Sequence, residues 1–292
     1  IGTGYGLNRF DGQHFEVFNK ENEPRMTINA IHKIAEDEAG FLWLLKANEQ
    51  YQYAYTASEI NLLNIHTRDI TTLSEHFNYR VVADGCIDIF FELKNPKESY
   101  VMGFCKKYTE FPLQNTFNYI GIRFLPTMFP QIFNFNASKL SNRFENLNKI
   151  EMITAEFIAK RINESQNLNE IKVIFDEYFQ AKIANTNFTI DKRLYRAIEI
   201  ILENFGVVNI KTDLNTGISP RHLQRLFNYY IGDTAKTFSK VVQFQNILRA
   251  KPSNQSLKSN KLFYDIGYYD QAHFIKDFKN FYGVTPSKAF EK

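Results

Sequence analysis

Gly267-Tyr268-Tyr269-Asp270-Gln271-Ala272-His273-Phe274-Ile275-Lys276-Asp277-Phe278-Lys279, then Phe281-Tyr282-Gly283-Val284-Thr285-Pro286, is the stretch that decides the fold. Gly267 suits a turn, where a residue without a side chain takes positive φ. Asp270 is placed to cap a helix with its carboxylate. Phe274, Phe278 and Phe281 recur at i, i+4 and i+7 and put three rings on one helical face. The opposite face carries Ala272, Lys276 and Lys279, with Gln271 and His273 at its margins. A helix that is apolar behind and basic and amide-bearing in front suits the DNA major groove.

A similar unit is readable upstream. Ser219-Pro220 marks a helix start, with Ser as cap and Pro in the first turn, where its missing N–H costs nothing. Leu223, Leu226 and Phe227 follow at i, i+3 and i+4 and are expected to face inward, with Arg221, Gln224 and Arg225 outward. Phe238, Val241, Val242, Gln245 and Leu248 outline a long helix between the units, ending before Pro252. A further helix, capped by Asp191 and stopped at Gly206, carries the stripe Leu194, Ile198, Ile201, Leu202 and Phe205.

Two such units in this order, closed by Gly-Val-Thr-Pro, resemble the DNA-binding domain of the AraC/XylS family of bacterial transcription regulators, over roughly residues 191–292. The resemblance implies that Arg221, Gln224 and Arg225 of the first unit, and Gln271, Ala272, His273 and Lys276 of the second, face base edges or phosphates. Arg grips guanine and Gln grips adenine through paired hydrogen bonds. Arg193, Lys236, Lys240 and Lys279 are better assigned to phosphates, where charge fixes register without reading sequence. Three positions depart from the family pattern. Asp213 and Phe263 stand where a small residue usually lets two helices approach, and Gln243 stands where Arg is usual. A buried Asp213 would cost desolvation, and Phe263 would wedge its helices apart.

Charge distribution agrees with this reading. The net charge is only +3. From Ile190 onward, however, 16 Lys and Arg face 9 Asp and Glu, a net of +7, whereas the preceding residues hold 19 against 23. A basic carboxyl-terminal region beside a mildly acidic one fits an electrostatic DNA footprint. The apolar fraction of 44% is ample for packed cores. Cys86 and Cys105 are the only cysteines, which excludes a disulfide framework, a four-cysteine zinc site and the cysteine cluster of alkyl-transfer DNA repair proteins. The expectation is two free thiols in a reducing cytoplasm, with no cofactor and no metal. No run approaches the ~18 apolar residues needed to span a bilayer. The chain starts at Ile1 rather than Met and shows no signal-peptide pattern, so a fragment or processed product is expected.

Residues 1–46 carry Gly4-Tyr5-Gly6-Leu7-Asn8-Arg9-Phe10-Asp11-Gly12 and then Gly40, Leu42, Trp43 and Leu44. They resemble one repeat of the sensory β-propellers of two-component regulators. A lone repeat cannot bury its faces, so a few weakly packed strands are expected there. Residues 50–135 read as short strands, in a small barrel or open sandwich. Arg80–Ala83 and Ile87–Leu93 flank Asp84-Gly85, a hairpin signal. Asp84 is expected to form that turn and Asp88 to be a solvated strand residue. Ala83–Asp88 and Gly121-Ile122-Arg123-Phe124 resemble an uncharacterised amino-terminal domain that often precedes this DNA-binding domain. From Ser141 to Ile183 the period is helical, with stripes Ile150, Ile153, Phe157, Ile158 and Ile171, Ile174, Phe175, Tyr178, and Ala184-Asn185-Thr186-Asn187 reads as a linker.

The fold expected is α+β, a β-rich sensor-like region followed by an all-α double helix-turn-helix domain. Its segments are 1–46, 50–183 with bridging helices, and 190–292. The function expected is sequence-specific transcription regulation without catalysis. Double-stranded DNA is the expected partner. RNA polymerase, a small-molecule effector and a second copy of the chain are further candidates, and no membrane is involved. The alternative is a degenerate regulator whose helical domain serves as a protein-interaction module.

Overall fold

The computed structural model describes residues 2–3, 6–10, 15–18, 31–36, 42–46, 60–66, 77–113, 117–188, 191–250, 267–268 and 270–289. The chain divides into two compact units, Ile1–Ala54 and Tyr55–Lys292. In the first, β1 (Gly2–Thr3), β2 (Gly6–Phe10) and β3 (Phe15–Phe18) form a three-stranded antiparallel sheet, and β4 (Ile31–Glu36) pairs with β5 (Leu42–Lys46).

The second unit opens with an antiparallel five-stranded sheet. Its strands are β6 (Ile60–His66), β8 (Ile87–Glu92), β9 (Ser99–Met102), β11 (Asn118–Phe124) and β12 (Phe144–Asn146), in the order β12-β9-β8-β11-β6. Alternation along β8 buries Ile87, Ile89 and Phe91, and β11 buries Ile120, Ile122 and Phe124 on the same face. That face is covered by α1 (Met128–Phe133), a 3-10 turn (Ala137–Leu140), α2 (Leu147–Ile150), α3 (Met152–Arg161) and α4 (Leu168–Ala184). Asn167 and Glu170 close a reciprocal capping box on α4. In α4 the stripe read from sequence holds, with Ile171 and Phe175 buried and Phe179 added. Around α3 it holds in part. Ile158 is buried, and Ile150 and Phe157 pack partly buried against the same core, but Ile153 is 67% exposed and Thr154 and Ala155 face the core as well.

The expected Asp84-Gly85 hairpin is also replaced. β7 (Phe77–Val81) pairs with β10 (Thr109–Leu113), not with β8, so Asp84-Gly85 is a crossing between two sheets. A side-chain cluster stands at that crossing. Arg123 on β11 stands opposite Asp88 on β8 and grips it through Nε at 2.9 Å and a second nitrogen at 2.6 Å. The same guanidinium reaches Asp84 at 2.7 Å, and Asp84 accepts the Cys86 N–H at 3.1 Å. Asp88 is therefore a gripped cross-strand partner rather than a solvated residue. Burial pushes the Asp84 carboxyl up to about 6, opposed by Arg123 and reinforced by Asp88. Burial, with Asp84 and Asp88 nearby, pushes the Cys105 thiol up to about 12. Neither Cys86 nor Cys105 is in a disulfide.

After α4 come α5 (Lys192–Glu203), α6 (Pro220–Tyr230), α7 (Ala235–Ala250), α8 (Gln271–Tyr282) and α9 (Pro286–Ala289). Leu194, Ala197, Ile198 and Ile201 of α5 join Leu223, Phe227, Phe238, Phe244, Phe274, Phe278 and Phe281 in one core. Leu202 and Phe205, expected in the α5 stripe, lie outside it at 50% and 63% exposure. The helix ends at Glu203, and Phe205 and Gly206 follow with φ of 53° and 79°. That αL exit swings Phe205 off the helical face. Gly206 fits there because a Cβ would stand 2.2 Å from the Ser239 carbonyl of α7.

The helix expected before α6 is a single turn. The N–H of Asp213 donates to Asn209 O at 2.8 Å, and the chain then leaves helical pairing. Asp213 is exposed rather than buried, and its carboxylate accepts from Asn209 N at 2.8 Å and Thr212 Oγ1 at 2.7 Å. Such local side-chain bonds compete with helix propagation. Phe263 and Pro252 lie outside the described residues. Among the described residues no helix is long and apolar enough to cross a membrane.

Candidate nucleic-acid interface

The first candidate recognition helix is α6. Ser219 Oγ accepts the His222 N–H at 3.3 Å, and Pro220 occupies the first turn. Leu223 and Phe227 are buried, and Leu226 is partly buried against the same core. Arg221, Gln224 and Arg225 are exposed on the other side. The second is α8. Asp270 Oδ1 accepts the His273 N–H at 2.7 Å, Gly267 has φ 81°, and Gly283 closes the helix with φ 99°. Phe274, Phe278 and Phe281 are buried, and Gln271, Ala272, His273, Lys276 and Lys279 are exposed. The structure thus places all eight candidate residues on outward faces of two capped helices that share one apolar core.

The flanking charges are less uniform than expected. Lys236 is exposed. Lys240 on α7 is tied to Asp277 of α8 at 2.9 Å, and the same carboxylate lies 3.4 Å from His273 Nε2. Lys240 therefore joins the linking helix to the second candidate recognition helix. Arg193 forks onto Asp191 at 2.9 Å through both Nε and a terminal nitrogen. That bond lowers the Asp191 carboxyl below its usual range. The Tyr268 ring meets His273 and Phe274 edge-on at 5.3 and 5.4 Å, so one aromatic supports both faces of the helix start. Gln243 is buried in α7 beside Gly267.

Sequence reasoning placed Gln245 on the linking helix without its partner, and gave no role to Asp277 or Asn280. The i,i+4 spacing of His273 and Asp277 was a visible signal for one contact. Nothing local signalled Lys240, or the bonds from Gln245 to the Ala83 carbonyl and from Asn280 Nδ2 to Lys106 O. A cleft of about 290 Å³ lies at the end of α6, between Pro130 and Asn134 of the α1 region, Asn185 to Asn187, and Tyr229 and Tyr230.

Residues 215–292 match the family described as "Helix-turn-helix domain", and residues 63–146 match a domain of unknown function, DUF6597. An "Uncharacterized HTH-type transcriptional regulator" of Haemophilus influenzae is 34% identical over 102 residues, covering 34% of this chain. The chain spans about a third (33%) of the length of that curated relative. Among solved structures, apo ToxT from Vibrio cholerae strain SCE256 is similar at 13% identity and a TM-score of 0.44, covering 80% of this chain and 98% of that one. ToxT from Vibrio cholerae O395 gives 12% and 0.42, covering 80% and 97%. The comparisons lend no support to a propeller repeat in residues 1–46. The expectation of an uncharacterised domain ahead of the helix-turn-helix region does hold. The chain carries an AraC-type helix-turn-helix domain at its carboxyl end, behind a DUF6597 domain.

Proposed function

We propose that this chain is a sequence-specific, DNA-binding transcription regulator. Residues 190–292 form its DNA-binding domain, residues 50–183 its sensor-like domain with bridging helices, and residues 1–46 a separate amino-terminal segment. α6 and α8 enter successive major-groove segments on one face of the duplex, about 34 Å apart. Arg221, Gln224, Arg225, Gln271, Ala272, His273 and Lys276 face base edges or phosphates, and Lys279 neutralises a phosphate. The observation that carries this reading is the pairing of two capped helices on one core with every candidate contact residue exposed. An effector, or pairing of two copies, would act through the sensor-like domain, and the cleft beside Tyr229 offers a small molecule access to the end of α6. A ligand there controls occupancy only through unequal affinity for two states.

Two substitutions test the assignment. Arg225→Ala is expected to weaken binding to the preferred site by ~1–3 kcal/mol and to relax one base position. A titration over single-base variants of the site reads this directly, and an unchanged preference removes Arg225 from the readers. Lys279→Ala is expected to weaken binding to all sequences alike and to lower the slope of log K against log salt by about 1. A loss confined to one sequence would reverse that assignment.

A second reading is favoured by one observation. Leu202, Phe205 and Val207, close together in sequence at the end of α5, are large apolar residues at 45–63% exposure. Such a patch suits a protein partner. If the helical domain serves only as a partner module, binding to mixed DNA will be weak and nearly independent of salt.

A further inference from the structure

Two short segments of the β-rich region touch α7, α8 and the turn that joins α6 to α7. The first lies between β7 and β8. Ala83 is fully buried in the helical core, its N–H donates to Phe281 O at 3.0 Å, and its carbonyl accepts from Gln245 of α7. Gly85 lies against Phe238 of α7, where a Cβ would stand 2.9 Å from the ring. The second segment runs from Phe104 to Tyr108. Phe104 is buried in the same core beside Gly232, which follows α6, and Lys106 Nζ pairs with Asp233 at 3.1 Å. Lys106 O accepts from Asn280 Nδ2 at 3.1 Å, and Tyr108 N donates to Asn280 O at 3.2 Å.

The chemistry at the end of α8 is specific. A helix cannot satisfy its last four carbonyls itself. Gly283 takes the Lys279 carbonyl, and the next two, Asn280 and Phe281, are taken by Tyr108 and Ala83 of the β-rich region. Next to Ala83, the Asp84–Arg123–Asp88 cluster ties the crossing to β11 and β8, and the Cys105 N–H donates to Asp84 O at 3.4 Å, which joins the two segments. The capping donors of α8, the anchor on α7 and the Lys106–Asp233 pair after α6 therefore all sit on one edge.

We propose that the Ala83–Gly85 and Phe104–Tyr108 segments are a brace that holds α6, α7 and α8 in one setting, so that the chain discriminates the spacing between two DNA half-sites. Gln245 and Gly85 are positioning residues in it and touch no DNA. The DNA part of this inference rests on the function proposed above. The brace leaves the outward faces of α6 and α8 open, so it sets geometry rather than blocking binding.

The test uses the full chain, Gln245→Ala and Gly85→Val. Gly85 needs no positive φ, so the valine acts by pressing on Phe238. Gln245→Ala removes only a partly exposed amide and keeps the test open if Gly85→Val does not fold. Binding is measured to the selected two-half-site DNA, to the same DNA with two base pairs inserted between half-sites, and to a single half-site. The insertion turns the second half-site by about 70° around the duplex. The unaltered chain is expected to lose tenfold or more, roughly, on insertion, and the variants about threefold or less, with single-half-site affinity unchanged. Unchanged discrimination in the variants, or half-site affinity falling in step with the full site, overturns the brace. A second readout needs no DNA. Spin labels on Gln224→Cys and Gln271→Cys, in a Cys86→Ser and Cys105→Ala background, are expected to give a narrow distance distribution that Gln245→Ala broadens. An equally narrow distribution in that variant overturns the brace. If the unaltered chain shows no sequence preference, the DNA-binding reading fails by itself and the label distances alone decide the brace.

Discussion

Phe278→Ala is expected to destabilise the carboxyl-terminal region by about 3–5 kcal/mol, the usual loss when a fully buried Phe is emptied. Phe278 is 1% exposed. Its ring lies 5.5 Å from Phe244 of α7 and 5.9 Å from Phe274, and it stacks on Tyr282 at 5.3 Å. Those contacts are what α8 uses to sit on the linking helix. The loss of stability should therefore carry a loss of DNA binding, although Phe278 faces away from any duplex. Urea unfolding followed by aromatic fluorescence and far-UV circular dichroism measures the first effect, and a binding titration at low temperature the second. A variant of unchanged stability would mean that the three-phenylalanine face of α8 is not core.

Arg123→Met is the second large effect. Arg123 is the cation that both Asp84 and Asp88 use. Removing one partner of a largely buried ion cluster leaves uncompensated charge, at a cost of ~3–5 kcal/mol near neutral pH. The loss should shrink as pH falls, and the sign follows from Asp84. Its carboxyl is held at about 6 in the folded chain, above the roughly 3.9 of an unfolded one. Between these values the folded state binds the extra proton. The contribution of this group is therefore fully present below about 4 and is lost as pH rises through 6, a swing on the order of 3 kcal/mol. Asp84→Asn should remove that swing. Stability of the unaltered chain relative to Asp84→Asn is expected to rise as pH is lowered from 7 to 4, and parallel profiles would contradict the assignment. Without Arg123 the window moves to higher pH, since the opposing cation is gone.

The legible parts of this chain are those written in neighbouring residues. Ser219 before Pro220 and Asp270 three residues before His273 are caps whose bonds form within one turn, so α6 and α8 were readable with their inward and outward faces. The alternation of Ile87, Ile89 and Phe91 was readable for the same reason. What failed depended on distant partners or on helix phase. Asp84-Gly85 has the composition of a hairpin turn. β7 instead pairs with β10, about thirty residues away, while Arg123 draws Asp84 and Asp88 together. Phe205 fits the α5 period but sits in the αL exit itself, and Ile153 fits the period of its stripe yet faces outward while Ile150, Phe157 and Ile158 pack inward. Asp213 would cost desolvation only if buried, and it is an exposed residue in a single turn. The site itself was visible as two exposed faces. The edge that joins them was not, because Gln245 and Ala83 are 162 residues apart.

Selection of bound fragments from random double-stranded DNA tests the central claim most directly. The account predicts an enriched bipartite motif, two half-sites about one helical turn apart, with one position relaxed when the selection is repeated with Arg225→Ala. A pool that returns no motif from the unaltered chain, or one contiguous motif too short for two major-groove segments, would contradict it.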